Sequence, residues 1–338
     1  MKKYSYIFLI LCLHAAVHAQ KGREKKADAL FNKRSYVKAA ELYEQIEPNQ
    51  HVLQNLGDCY YNNSQVKDAA RVYGKLMIEA KDSIDPEYYF RFAHALMGSG
   101  DYEKGDAIMA KYLKYNVSTP KFIANLKTNV PFNYEVQTMS KNTSNGDFGM
   151  VFYGDKVAFA SLRAGEGKSY GWNERAYLDL FSADVNAKGL LTNIEPFPKE
   201  INTKTHESNP TFNQDGHIMY FNRTNDKMVK IGKEKIANIK IYKAEFVDGK
   251  WTNITALPFC NDQYSCEHPV LTKDGKRLYF SSDMPGSIGS FDLYYVDVNE
   301  DGTFGEPVNL GNAVNTIHRE QFPEISNDGS ILYFASDG

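Results

Sequence analysis

The chain has 338 residues, enough for two or three domains with an ample core, and its 42% hydrophobic and 24% charged content is ordinary for a globular protein. A formal net charge of −3 argues against nucleic acid as a main partner, because a phosphate binder needs a basic face. Beyond the first nineteen residues no stretch approaches the length of a membrane-spanning helix, and the 23 Tyr and 20 Phe suit strands and sheet packing.

Residues 1–19 have the order of an export signal. Lys2 and Lys3 give the positive start, Tyr6 to Leu13 the apolar stretch, and Val17-His18-Ala19 the small-residue cleavage site. Bulky Leu11 before Cys12 argues against lipidation. The exported chain retains Cys59, Cys260 and Cys266. In an oxidising compartment Cys260 and Cys266 are candidates for a disulfide across a short loop, with two free thiols as the equal alternative. Cys59 falls in a helical pattern and reads as a small buried hydrophobe.

From 20 to 127 the apolar spacing is helical. Ala27, Leu30, Phe31, Tyr36, Ala39, Ala40 and Tyr43 recur at three and four residues, and Pro48 ends that pair. Leu56-Gly57-Asp58-Cys59-Tyr60 with Ala69, Ala70 and Tyr73 makes a second pair. Phe92-Ala93-His94-Ala95-Leu96 with Gly100-Asp101-Tyr102 makes a third. Small and aromatic residues on one helix, a short turn, then Ala and Tyr on the next is tetratricopeptide order, and three units are about the minimum for a stable array. Such an α-solenoid presents a groove for a peptide or partner; the plainer alternative is a spacer.

Residues 128–147 read as a linker, with Ser140 to Gly146 of loop composition and Phe132 to Met139 alternating as a latch strand would. The remainder, 148–338, is repetitive. Three tight turns, Asp215-Gly216, Asp274-Gly275 and Asp328-Gly329, each precede a Tyr-Phe strand, and Gly154-Asp155 opens a worn first copy. An Asn, a Glu and a Pro precede the turns in fixed order: Asn202-Glu207-Pro210, Asn261-Glu267-Pro269 and Asn315-Glu320-Pro323. A third strand and a second Gly turn follow in the first three copies (Lys188-Gly189, Asp248-Gly249, Asp301-Gly302). Four antiparallel strands in roughly fifty to sixty residues is the make-up of a β-propeller blade. The predicted fold is therefore multidomain, an α-solenoid followed by an incomplete β-propeller that breaks off in its fourth blade, and the half-built blade implies a longer parent protein.

Glu207, Glu267 and Glu320 recur near the start of each inner strand and are candidates for a ring at the channel mouth, able to hold a metal or cationic ligand. His206, His268 and His318 lie beside them, yet adjacent strand residues face opposite ways, so both sets cannot converge. Polar contacts closing adjacent blades are the stronger alternative. Asp283 and Asp292 bracket a Gly-rich loop without EF-hand spacing, so loop capping is favoured over calcium. No Gly-x-Ser-x-Gly, His-Glu-x-x-His or phosphate-loop pattern is present, so no catalytic residue and no cofactor is expected.

Ser281-Ser282-Asp283-Met284-Pro285-Gly286-Ser287-Ile288-Gly289-Ser290-Phe291-Asp292-Leu293-Tyr294 resembles the WD40-like repeat of TolB-type propellers. Together with Asp147-Phe148-Gly149 and Glu306-Pro307-Val308-Asn309-Leu310-Gly311, it is similar to the PorE-like group of OmpA-family outer-membrane proteins of gliding and type IX secreting bacteria. The order of export signal, helical repeats and propeller is similar too. The resemblance implies an exported, periplasmic, outer-membrane-associated, non-catalytic scaffold. Its partners would be envelope proteins of the secretion or gliding machinery. Peptidoglycan would be reached only through a C-terminal domain absent from this chain. Two alternatives stand beside it, the propeller gate of a serine peptidase whose hydrolase domain lies beyond Gly338, and a glycan- or ligand-sensing propeller. If the fourth blade is incomplete, residues 128–338 alone should be poorly stable and association-prone; a sharp, concentration-independent melt of a monomer would count against this.

Overall fold

The computed structural model describes residues 20–80, 84–129, 138–139, 141–143, 145–163, 169–232 and 234–337. The export signal lies outside the described residues, as does most of the expected latch strand; of that strand Met139 is seen, packed on Phe159 and its neighbours. No helix among the described residues is long and apolar enough to cross a membrane. The chain divides into two compact units, one of residues 1–136 with 169–174, the other of residues 137–168 with 175–338.

The first unit holds helices α1 (20–32), α2 (Tyr36–Tyr43), α3 (Gln50–Asn62), α4 (Val66–Glu79), α5 (Pro86–Gly98), α6 (Tyr102–Leu113) and α7 (Thr119–Asn129). From α2 onward each packs on its neighbour in sequence. Three of the connections are the same turn. Arg34, Ser64 and Gly100 hold positive φ, and the residue after each donates its N–H to a carbonyl five back: Ser35 to Leu30, Gln65 to Tyr60 and Asp101 to Leu96, all at 2.9 Å. This is the Schellman stop, which reverses the chain while satisfying end carbonyls. Asn49, Asp85 and Asp101 cap the starts of α3, α5 and α6 with their side chains.

Close approach within the pairs depends on small residues. A Cβ on Gly57 would sit 2.3 Å from Cε1 of Tyr73, whose ring is fully buried. Beside it, buried Asp58 accepts from Tyr73 Oη at 2.7 Å, Arg91 Nη1 at 2.8 Å and Tyr88 Oη at 3.3 Å, tying α3 to α4 and α5. Cys59 is buried, as a small apolar residue would be. Ser169–Glu174 also belongs to this unit: Trp172 meets Tyr36 edge-on at 4.9 Å, and Glu174 pairs with Lys38 at 2.6 Å. Composition gave no hint of that segment's place.

The second unit contains three four-stranded antiparallel sheets, ordered β1-β2-β3-β4, β5-β6-β9-β10 and β11-β12-β13-β14, and a two-stranded sheet, β15-β16. Their strands are Asp147–Tyr153, Lys156–Ser161, Asp179–Val185 and Leu191–Pro196; Glu207–Phe212, Ile218–Thr224, Ile239–Val247 and Lys250–Ala256; Cys266–Leu271, Arg277–Ser282, Asp292–Asp297 and Val308–Asn309; Glu320–Ile325 and Leu332–Ser336. First strands pack side by side, β1 on β5, β5 on β11 and β11 on β15, the succession that blades require. An added hairpin, β7 (Val229–Ile231) with β8 (Glu234–Ile236), interrupts the second sheet and was not expected. Apolar residues of successive sheets interdigitate: Phe221, Met219, Phe197 and Leu180 form one cluster, Phe280, Leu278, Ile241 and Tyr220 the next.

Every first strand carries the same irregularity. Two residues, Gly149-Met150, Asn209-Pro210, His268-Pro269 or Phe322-Pro323, stand opposite one Phe of the second strand: Phe159, Phe221, Phe280 or Phe334. The first of each pair has φ between 47° and 64°, the left-handed residue that defines such a bulge. Pro210, Pro269 and Pro323 therefore sit inside the strand, each as the second residue of its bulge. They are tolerated because the second bulge residue stands outside the ladder and lacks nothing by having no N–H.

Gly57→Ala should destabilise the helical unit by about 2 kcal/mol, through overpacking against the Tyr73 ring. Thermal melts followed by far-UV circular dichroism would show a Tm several degrees lower; an unchanged Tm would refute the close approach.

Candidate functional site

The recurrent polar residues collect where the first strands begin. The side chains of Asp147, Glu207 and Glu320, each the first residue of its strand, turn back on the preceding chain. The N–H of Thr143 donates to Asp147 at 3.1 Å, that of Thr203 to Glu207 at 3.1 Å, and that of Thr316 to Glu320 at 2.9 Å. The hydroxyls of Thr203 and Thr316 add bonds of 2.7 Å each. The cross-strand residue completes the set: Ser161 Oγ donates to Asp147 at 2.5 Å, Arg223 Nε to Glu207 at 3.0 Å, and Ser336 Oγ to Glu320 at 2.8 Å. Asp147 was not recognised as a member of this series; the spacing Thr-x-x-x-acid at 143–147, 203–207 and 316–320 was the signal.

The third sheet breaks the pattern. Its first strand starts at Cys266, paired across the ladder with Ser282, so Cys266 and not Glu267 occupies the acid's position. The expected ring of Glu207, Glu267 and Glu320 is thereby corrected. Glu267 is one residue out of register, and side chains alternate faces with period two, so it points to the opposite side. There its Oε1 accepts from Gln321 Nε2 of β15 at 2.6 Å. Among the described residues the three glutamates do not bring ligand atoms within 4.8 Å of one another. The offset was visible in the chain, since Pro follows Glu207 and Glu320 by three residues but Glu267 by two.

The histidines are equally divided in purpose. His206 Nδ1 accepts from the Leu178 N–H at 3.0 Å, and His268, at a bulge, lies 3.8 Å from the Phe322 ring with its N–H donating to Asn222. Burial holds both down to about 4. His318 serves through its backbone, donating to Thr316 Oγ1 and accepting from Ser290.

Asn202 and Asn315 clamp the third strand of the sheet before, each bonding both the N–H and C=O of one residue, Leu180 and Leu293 respectively. Asn261 is exposed and, among the described residues, accepts from the Gln263 N–H and does not clamp a strand as Asn202 and Asn315 do. Asp215, Asp274 and Asp328 each accept from the N–H two residues on, while Gly216, Gly275 and Gly329 hold φ of 72–73° at the turn. These are the Asx turns their residue types demand. Asp292 accepts from the N–H groups of Ile288 and Gly289 and so caps its own loop as expected, whereas Asp283 accepts from the N–H of Ser265, in the segment before β11. The disulfide alternative is not formed: Cys260 and Cys266 are free, buried thiols, and burial with the neighbouring Cys260 pushes Cys266 up.

Open space remains beside the turns. A groove of about 560 Å³ lies between the second and third sheets, lined by Asp215, Tyr220, Lys243, Asp274 and Glu300.

No family model and no curated protein matches the chain. Among solved structures it is similar to a putative TolB from Agrobacterium tumefaciens, at 17% identity and a TM-score of 0.36 over 54% of this chain and 50% of that one. It is similar to a prolyl endopeptidase at 16% identity and 0.34, over 59% and 26%, and to a puromycin hydrolase at 14% and 0.35, over 59% and 36%. The chain thus spans half or less of the length of each of these proteins.

Burial pushes Glu267 up to about 7, opposed by the Gln321 hydrogen bond. A folded acid that holds its proton while the unfolded one releases it near 4.5 loses stability as pH rises from about 4.5 to 7. His206 and His268 act oppositely, adding stability as pH rises from about 4 to 6.5. In denaturant titrations, Glu267→Gln should therefore gain on the wild type by about 1–3 kcal/mol between pH 5 and 8, with the histidines unchanged in both proteins. A difference that does not vary with pH would sink this assignment.

Proposed function

We propose that this chain is a non-catalytic protein-interaction scaffold, built from tetratricopeptide-like helical repeats and a WD40-like β-propeller portion. It is exported to the periplasm and associated with the outer membrane. The observation that carries the reading is the repetition of inward-spent polar chemistry. Asp147, Glu207 and Glu320 are each satisfied by backbone and neighbouring side chains, which is how a module holds its shape, not how it activates a substrate. The helical unit supports it with three identical Schellman turns and packing between sequence neighbours, the organisation of a solenoid. The resemblance of the Ser281–Tyr294 phrase to OmpA-family propeller repeats suggests envelope proteins of type IX secretion or gliding as partners, with peptidoglycan reached through a further domain of the parent protein.

A second reading, a propeller that senses a glycan or other ligand, is favoured by the groove between the signature turns. A propeller gating a serine peptidase is the third. Photo-crosslinking residues placed along α1, α3 and α5 and on the signature turns, in the cell of origin, would separate them. The scaffold predicts adducts with a small set of envelope proteins and no turnover of peptide p-nitroanilides by the purified protein. Steady turnover, abolished by one serine substitution, would overturn it.

A further inference from the structure

Helix α1 places Glu24 and Asp28 one turn apart, so both carboxylates face one side. Helix α3 brings His51 to the same spot in its first turn. One ligand atom from each of the three lies within 4.8 Å of the others. The group is organised from behind. The hydroxyl of buried Tyr43 donates to Asp28 Oδ1 at 2.6 Å and accepts from Asn55 Nδ2 at 2.9 Å. The same Asn55 Nδ2 lies 3.3 Å from His51 Nε2, and Nε2 is 2.9 Å from Asp28 Oδ1. His51 Nε2 thus sits between the Asn55 amide and the Asp28 carboxylate, with a Glu24 carboxylate oxygen close by. Arg23, one of the cations that flank Glu24 in the chain, donates to the Gln45 carbonyl at 2.9 Å.

We propose that Glu24, Asp28 and His51 form a binding site for a divalent cation of the zinc class. Two carboxylates balance the ion's charge, and the imidazole selects against magnesium and calcium, which prefer oxygen-only shells. Tyr43 and Asn55 hold the ligands as the outer partners of metal sites do. His51 is 51% exposed at its side chain, so water completes the coordination. Occupation joins α1 to α3, fastening the first helical pair to the second. The site lies in neither the sheet unit nor the signature turns, and it stands independently of the scaffold reading.

The test is isothermal titration of zinc chloride into the tag-free, EDTA-treated whole chain, beside thermal melts with and without zinc. One equivalent should bind, with a raised melting temperature. Binding should weaken at least tenfold in His51→Ala and in Glu24→Gln, both of which should keep the wild-type circular dichroism spectrum. His217→Ala, at an exposed histidine of the sheet unit, should bind as the wild type does. No heat of binding, equal affinity in His51→Ala and wild type, or displacement of zinc by millimolar magnesium would each overturn the site and leave the trio a surface ion pair.

Discussion

One left-handed residue in each first strand sets the geometry of the sheet unit. Gly149, Asn209, His268 and Phe322 bend their strands at the same step, and a Phe fills the space opposite. Because strand side chains alternate, one bulge residue inverts which positions face the neighbouring sheet on either side of it. The residues before the bulge serve the strand's start; those after it enter the core between sheets. Three of the four positions, Asn209, His268 and Phe322, use a side-chain-bearing residue at positive φ, a strain of order 1 kcal/mol each, and opposite the first two the fully buried Phe221 and Phe280 supply packing that offsets it. In the last sheet Phe334 remains 40% exposed.

That geometry explains why the polar residues recur without forming a centre. An acid at the first position of a strand meets free N–H groups of the turn before it, and a carboxylate is a strong acceptor for several at once. Asp147, Glu207 and Glu320 take that role. Cys266 cannot, and its sheet compensates with Ser282, whose hydroxyl donates to the Ser265 carbonyl at 2.6 Å, and with Asp283, which accepts from the Ser265 N–H. Buried acids and buried histidines then act on stability in opposite senses through mildly acidic pH, so the unit's response to pH is smaller than any one group would produce.

The helical unit reaches its repetition by other means. A single left-handed residue ends the first helix of each pair, and Gly or Ala at the contact lets the second approach. Buried Asp58, bound to Tyr73, Tyr88 and Arg91, links the second pair to the third; a charge so placed is costly unless every partner is present. The two units thus share a logic in which polar groups define geometry and apolar area supplies the driving force.

The sequence by itself determined the local elements. The helical spacing of Tyr36 to Tyr43, the Asp-Gly turns with their φ of 72–73° and the loop-capping work of Asp292 follow from nearest-neighbour physics, and short-range rules suffice for them. Register was decided elsewhere. Matching Glu267 to Glu207 and Glu320 by eye puts it on the wrong face, because counting along a chain does not show where a bulge consumes a residue. Asp147 escaped notice because an acid one methylene shorter, without a following proline, performs the same capping. The gathering of Glu24 and Asp28 with His51, and the place of Trp172 against Tyr36, join positions 23 and more residues apart. Only packing brings such groups together, since their meeting depends on how whole helices stack and on nothing within either segment.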